Sequence, residues 1–394
     1  MTLINQLINL LYSKINNMKY KRIVIKIGTS LITQDNGNLN TDFMSGLAEI
    51  CKKLIESKCE VIIISSGAIG AGIKLINPDS NKIIDKNQTS IKQVLASVGQ
   101  PYLMKNYQEI FNQPGIKTSQ ILLTRKEIRE DKSTYLNIKN TIEKLIELNI
   151  IPIINENDVV STEEVEGDKF GDNDTLSAYV SNLIDANLLI ILSSVDGVFT
   201  ADPNVDPENA KLIEEFKDLS FNEINTIGGP SSDNIGTGGM SAKLKAIEIA
   251  TMSGTDVVIT NGNKITNITK IINDEKIGTF FPAKSKIHER KKRWLLNNMS
   301  RSKSITIDDG AKNAILNKNT SLLPAGIITV SGKFKSGEVI CILDKQKEII
   351  ACGISSYSYE EINKIKGEQS SKILSILGYV HTEEVIHKNN MVNI

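Results

Sequence analysis

Ile23-Val24-Ile25-Lys26-Ile27-Gly28-Thr29-Ser30 is an apolar run with one lysine inside it and a glycine turn at its end. Arg22 to Ile27 reads as a strand, and its apolar residues do not alternate with polar ones. A strand of that kind is covered on both faces, as in a parallel sheet. Similar runs return at Val61 to Ile64, Ile116 to Leu123, Ile150 to Ile154, Leu188 to Leu192 and Asp256 to Ile259. Helical patterns separate them: Thr41 to Ser57, Ile91 to Phe111 with a kink expected at Pro101, Ser133 to Leu148, about Asn173 to Asp185, and about Gly239 to Ser253. The alternation predicts an α/β fold, a three-layer sandwich around a mainly parallel sheet. In such sheets ligands bind beyond the carboxyl ends of the strands.

The polar segments gather at those ends. An unpaired buried ammonium is expensive, so Lys26 either snorkels to the surface or meets an anion at the strand end. Ile64-Ser65-Ser66-Gly67-Ala68 follows the second strand with small residues, which either build a tight turn or let the backbone approach a ligand. Asn155-Glu156-Asn157-Asp158 ends a third strand, and Gly171-Asp172-Asn173-Asp174 opens a helix. An N-terminal cap explains one acidic residue there, but not Asn155, Asp158, Asn173 and Asp174 together. Ser193-Ser194-Val195-Asp196-Gly197 and the loop to Pro203 could wall a nucleotide base.

Gly236-Thr237-Gly238-Gly239-Met240-Ser241-Ala242-Lys243 completes the set. Met240, Leu244, Ile247 and Thr251 share one helical face, so the glycines stand directly before a helix. Free backbone N–H groups at a helix start suit a phosphate. Lys243 lies in the first turn, where the helix dipole disfavours a cation unless an anion is close by. The spacing is neither a P-loop nor the dinucleotide fingerprint.

The chain has 394 residues and zero formal net charge. That length favours two domains, and the charge offers no global attraction to nucleic acid or membrane. No Cys-x-x-Cys pair occurs among Cys51, Cys59, Cys341 and Cys352, and the three histidines, His288, His381 and His387, come late. No zinc site is expected, and a reducing cytoplasmic compartment fits. No apolar run has membrane-spanning length. Residues 1–18 read as an amphipathic extension, with Met18 a candidate true start. Residues 19–283 form the first expected domain. Residues 284–303 are a basic linker, with eight cationic side chains against Glu289 alone. Residues 304–394 are the second expected domain with its C-terminal tail: Ser304 to Ser358 carries short alternating runs split by Gly310, Pro324-Ala325-Gly326, Gly332 and Gly337, the pattern of a smaller β-rich domain.

In order and spacing, Lys26-Ile-Gly-Thr-Ser, Ser66-Gly-Ala, Asn155-Glu-Asn-Asp158, Gly171-Asp-Asn-Asp174, Thr200-Ala-Asp-Pro203 and Gly236 to Lys243 resemble the amino acid kinase family, and within it the members that phosphorylate glutamate. Arg290-Lys-Lys-Arg-Trp294 and Ser321-Leu-Leu-Pro-Ala-Gly326 resemble the start of the PUA domain that many of those members carry. The resemblance runs from about Lys21 to His387. It implies phosphoryl transfer from ATP, with Mg²⁺ bound mainly through the phosphates, to the side-chain carboxylate of L-glutamate. The product would be glutamyl 5-phosphate, the first intermediate of proline synthesis. By the same resemblance Ser66, Asp158 and Asn173 bind glutamate. Lys26, Ser193, Ser194 and Thr237, Gly238, Gly239, Met240, Ser241, Ala242 and Lys243 form the nucleotide site. Lys26, Asp174 and Lys243 are catalytic, with Asp174 orienting the two lysines. The family often has Asp where this chain has Ser194. Family members commonly form dimers or tetramers and are inhibited by proline.

A carboxylate is already ionised at neutral pH, so the acceptor needs no general base, and the lack of histidine before His288 is no obstacle. Three other readings remain: a different acceptor such as aspartate or a nucleoside monophosphate, an amino-acid sensor with a dead site, and an RNA-binding protein acting through the basic linker and the β-rich domain. Asn155 to Asp158 and the PUA-like tail argue against the first, and intact Lys26, Asp174 and Lys243 against the second. Zero overall charge favours linker cations that line a seam or face solvent over RNA.

Overall fold

The computed structural model describes residues 19–34, 37–76, 88–129, 132–160, 173–201, 203, 205–216, 240–284, 295 and 302–394. The extension 1–18, the acidic stretch 161–172, the glycine run 236–239 and most of the basic linker lie outside the described residues. The chain divides into two compact units: residues 1–128 with 138–286, and residues 129–137 with 287–394.

The first unit is built on seven strands: β1 (Arg22–Ile27), β2 (Glu60–Ile64), β3 (Lys117–Leu123), β4 (Ile150–Glu156), β5 (Leu188–Ser193), β6 (Asp256–Asn261) and β7 (Thr279–Phe281). Their spatial order is β3-β4-β2-β1-β5-β6-β7. Every pairing is parallel except β6–β7. The apolar runs are therefore central strands, except β3, which forms the parallel edge and is mostly half-buried or exposed because it has a neighbour on one side only. Thr279–Phe281 is the antiparallel edge; its three residues are too few to register as a periodic run.

The helices fall on two sides. α1 (Thr41–Glu56) and α3 (Thr89–Asn112) pack on one face. They share a core with Ile23, Ile25, Ile27, Ile63, Ile153, Leu188 and Ile190 through Met44, Leu47, Leu103 and Tyr107. Asn40 caps α1, its side chain accepting from the Phe43 amide at 3.2 Å. α3 is longer than its periodicity suggests and runs through Pro101 as one helix. On the opposite face α5 (Asn173–Leu183) packs against β1, β2, β4 and β5, and α6 (Met240–Met252) packs against α5 and β6. α4 (Lys132–Glu147) is tied to the foot of the sheet by Arg22, which ion-pairs with Glu143 at 2.7 Å and with Glu60 at 2.6 Å.

α2 (Ala68–Ile76) starts directly after Ser66 and crosses α3 at bare glycines. A Cβ on Gly99 would overlap the Ala68 carbonyl oxygen, and one on Gly72 would overlap that of Leu95. The two backbones thus touch where the Ser66 turn feeds α2. Gly67 supplies the turn with φ = 94°, a conformation that favours glycine.

The second unit holds a five-stranded sheet of β8 (Ser304–Ile307), β9 (Ile327–Ser331), β10 (Val339–Leu343), β11 (Ile349–Ile354) and β12 (Met391–Asn393), in the order β12-β11-β10-β8-β9. Helices join it, among them α7 (Asp309–Lys318), capped by Asp308, and α8 (Tyr359–Ile365), opened by a capping box of Ser358 and Glu361. Ile305, Ile340, Ile342, Tyr357, Ile362 and Ile373 fill the core.

Gly99→Ala forces the α2–α3 backbones apart and is expected to lower unfolding free energy by about 2 kcal/mol or more, read by urea denaturation. All four cysteines are buried and none is in a disulfide. Burial raises the thiols of Cys51, Cys59 (to about 12) and Cys352 (to about 11). Thiolates are the reactive species, so an aromatic disulfide reagent should find no fast-reacting thiol in the native protein and four after denaturation.

Candidate active site

The parallel register aligns the carboxyl ends of the central strands. Lys26 pairs with Ile64 of β2 and with Ile191 of β5, and Ile64 pairs with Ile154 of β4. The residues one step beyond are Ser65 and Ser66, Asn155, and Leu192 with Ser193. Successive strand residues face opposite sides. Ile23, Ile25 and Ile27 belong to the α1–α3 core, so Lys26 projects to the side where α5 lies.

There Lys26 meets Asp174 in the first turn of α5. Lys26 Nζ ion-pairs with Asp174 Oδ1, and Lys243 Nζ, from the first turn of α6, lies 3.2 Å from Asp174 Oδ2. Lys26 is 5% exposed and Asp174 fully buried, so Lys26 does not snorkel. Asp174 faces the two lysines instead of capping its own helix. The N-terminal end of α5 also favours a negative charge. One carboxylate thus holds two cations against their mutual repulsion. Counted together the three groups carry one net positive charge. A buried site with that excess suits an incoming anion.

Beside this triad runs a chain of neutral amides. Asn173 Nδ2 donates to Ser66 Oγ at 3.0 Å and to Asn155 Oδ1 at 3.1 Å. Asn155 Nδ2 donates to Gln100 Oε1 of α3 at 2.8 Å, while the Glu156 backbone N–H donates to Asn155 Oδ1 at 3.0 Å. Ser65 holds the neighbouring turn through its N–H to the Ile154 carbonyl at 2.8 Å and its Oγ against Tyr107 Oη at 3.0 Å. Asp158 lies half-buried in the turn after β4. Ser193 is buried at the end of β5, whereas Ser194 is exposed.

The structure therefore brings together Lys26, Asp174 and Lys243, and separately joins Ser66 to Asn173. Met240 opens α6, and Ala242 is buried within it. Thr237, Gly238 and Gly239 lie outside the described residues, as does the side chain of Ser241. Gln100 was missed from the sequence. Its signal was a polar residue in an apolar helical stripe, with Ala96, Leu103 and Tyr107 on either side of it. Among the described residues no cluster of His, Cys, Asp and Glu is arranged to hold a metal, and no helix is long and apolar enough to cross a membrane.

The model of the amino acid kinase family matches residues 21–261, and that of the PUA domain matches residues 303–377. The chain belongs to the amino acid kinase family and is a phosphotransferase with a PUA domain after its kinase domain. Its relatives include glutamate 5-kinases of several bacteria. That of Dehalococcoides mccartyi (strain CBDB1) is 42% identical, covering 96% of this chain and 99% of the relative. That of Thermoanaerobacter sp. (strain X514) is 41% identical over 94% of this chain and 97% of its own. That of Dictyoglomus thermophilum is 40% identical over 95% and 97%. The match therefore takes in both domains.

Removing one partner of a buried ionic cluster leaves the others uncompensated. Asp174→Ala is expected to cost about 3–5 kcal/mol of folding stability, read as a fall in the urea midpoint at neutral pH. A change below about 1 kcal/mol would mean that the lysines do not depend on Asp174.

Proposed function

We propose that this chain transfers the γ-phosphoryl group of ATP to the side-chain carboxylate of L-glutamate, forming glutamyl 5-phosphate as the first step of proline biosynthesis. The observation that carries the reading is the buried Lys26–Asp174–Lys243 cluster at the carboxyl edge of the sheet. Near full-length similarity to glutamate 5-kinases supplies the acceptor.

In this reaction a carboxylate oxygen of glutamate attacks the γ-phosphorus. The bond to the bridging oxygen breaks, and ADP leaves with that electron pair. No proton is taken from the nucleophile, because it is ionised throughout. The barrier lies in bringing an anion up to a polyanion, so catalysis falls to positioning and charge neutralisation. Lys26 and Lys243 come from different elements and can hold the migrating group from two sides. Asp174 sets their spacing. The nucleotide enters as its Mg²⁺ complex, the metal bound mostly by phosphate oxygens and water. Asp174, the carboxylate deepest in the site, is already shared by both lysines, a donor set that suits phosphate more than a directly bound cation.

The neutral chain of Ser66, Asn173 and Asn155, with Asp158 beside it in sequence after β4, is assigned to glutamate, Asp158 taking the α-ammonium. Ser193 and the start of α6 are assigned to the nucleotide, with Ser194 a weaker contact because it points into solvent. Proline, the end product of the route, is the proposed feedback inhibitor, and the protein is proposed to act in the cytoplasm as a homo-oligomer. These last assignments are supported by family resemblance.

Trapping the acyl phosphate with hydroxylamine, with glutamate, aspartate and UMP offered in parallel, tests the activity. Product with glutamate alone is expected; no product with glutamate would overturn the reading. Lys26→Ala and Lys243→Met are expected to lower kcat about 100-fold or more while changing the glutamate KM only a few-fold. Asp158→Ala should do the reverse, raising the glutamate KM about ten-fold or more with a smaller change in kcat.

A further inference from the structure

The amide chain can be followed bond by bond, and its polarity is fixed. The Glu156 backbone N–H can only donate, so the atom of Asn155 that receives it at 3.0 Å is the carbonyl oxygen Oδ1. Asn155 Nδ2 must then face Gln100, and the atom of Gln100 that receives it at 2.8 Å is Oε1. Asn155 Oδ1 also receives Asn173 Nδ2, whose second hydrogen goes to Ser66 Oγ. Both donors of the Asn173 amide are thereby used. Its carbonyl oxygen Oδ1 is buried and has no hydrogen-bond partner among the described residues. A buried acceptor without a partner is costly, and in native proteins such an atom is usually met by a ligand or water.

Gln100 closes the far end of this chain. It is 7% exposed, on α3, and belongs to none of the groups assigned above to glutamate or ATP. We propose that Gln100 is a positioning residue: by accepting from Asn155 Nδ2 it locks the Asn155 and Asn173 carboxamides in the orientation that offers Asn173 Oδ1 to the ammonium group of the amino-acid substrate. This rests on the assignment of the amide chain to glutamate. Gln100 acts through Asn155 and does not touch the reacting atoms. Without its acceptor, Asn155 Nδ2 is left buried and unsatisfied. The Asn155 carboxamide is then anchored only at Oδ1 and shifts to satisfy its free donor, and Asn173 loses a fixed partner for its own donors.

The test compares two substitutions. Gln100→Met keeps an unbranched side chain of similar length but removes the amide acceptor. Gln100→Glu keeps an acceptor oxygen facing Asn155 and puts oxygen where the amide Nε2 stands, an atom that is itself buried without a partner among the described residues. Wild-type turnover of glutamate is established first by the hydroxylamine assay. If the wild type is inactive, the functional reading fails, whatever the state of Gln100.

With an active wild type, Gln100→Met is expected to raise the glutamate KM about ten-fold, with kcat and the ATP KM within about three-fold. Gln100→Glu is expected to hold the glutamate KM within about three-fold of wild type. In an Asn155→Ala background, Gln100→Met should add no further rise, because a residue acting through Asn155 has nothing left to act on. An unchanged glutamate KM in Gln100→Met, or additive effects in the double variant, would overturn the proposal. Should Gln100→Met not fold, Gln100→Glu decides alone: a ten-fold rise in its glutamate KM rejects the positioning role.

Discussion

Asp174 is fully buried and sits between two ammonium groups that enter from opposite ends of the kinase domain's sequence. Lys26 comes from the central strand, and Lys243 from a helix that follows the fifth strand. Neither could remain at that depth without a shared carboxylate, since desolvation costs several kcal/mol per ion. The surrounding architecture can be read as the means of meeting this requirement. β1 lies at the middle of the sheet, so α5 can cover it. α5 begins at Asn173, so its first turn points Asp174 at the strand end. α6 packs on α5, which brings the first turn of α6 to the same carboxylate.

The cluster's excess positive charge gives the chemistry its direction. Acceptor and donor are both anionic, and their approach is uphill in water. A fixed pair of cations in a poorly solvated site lowers that cost without having to reorganise during the reaction. It also explains why a titrating base is unnecessary. Histidine, the usual choice for moving protons near neutral pH, is absent from the sequence of the kinase domain.

Much of this could be read from the sequence because two periodicities coincide. Strand runs without alternation point to the parallel sheet, and a lysine inside an otherwise apolar strand singles out Lys26. The depth of Lys26 and the glycine turn after it marked the carboxyl edge. What escaped notice had weak local signals. β7 is three residues long. α7 lies inside the stretch that reads as strands, because its apolar residues cluster at Ala314 to Leu316 and leave no helical stripe, and α8 follows directly after that stretch. Pro101 suggested a kink within one helix, and α3 does run through it unbroken, the packing of Leu103, Tyr107 and Phe111 outweighing a single missing hydrogen bond. Gln100 looked like any helix polar residue, and only its burial shows that it faces inward.

The neutrality of the amide chain follows from the charge of its neighbour. A carboxylate at the position of Asn173 or Asn155 would attract an ammonium more strongly than an amide does. It would also stand next to Asp174, compete for the two lysines and repel the substrate's own carboxylates. Amides avoid that conflict but introduce another. Their two ends are nearly equal in size, so shape alone does not choose between donor and acceptor. Direction has to be imposed by groups that cannot reverse. The Glu156 N–H is one such group, because the backbone of β4 fixes it. At the other end the chain needs an acceptor held at the right depth, and a rigid helix packed against α2 through bare glycines provides the site for one. The close α2–α3 crossing and the orientation of Asn173 are therefore parts of one design: the helix contact sets the depth of Gln100, and Gln100 sets the face that the site turns toward a cation.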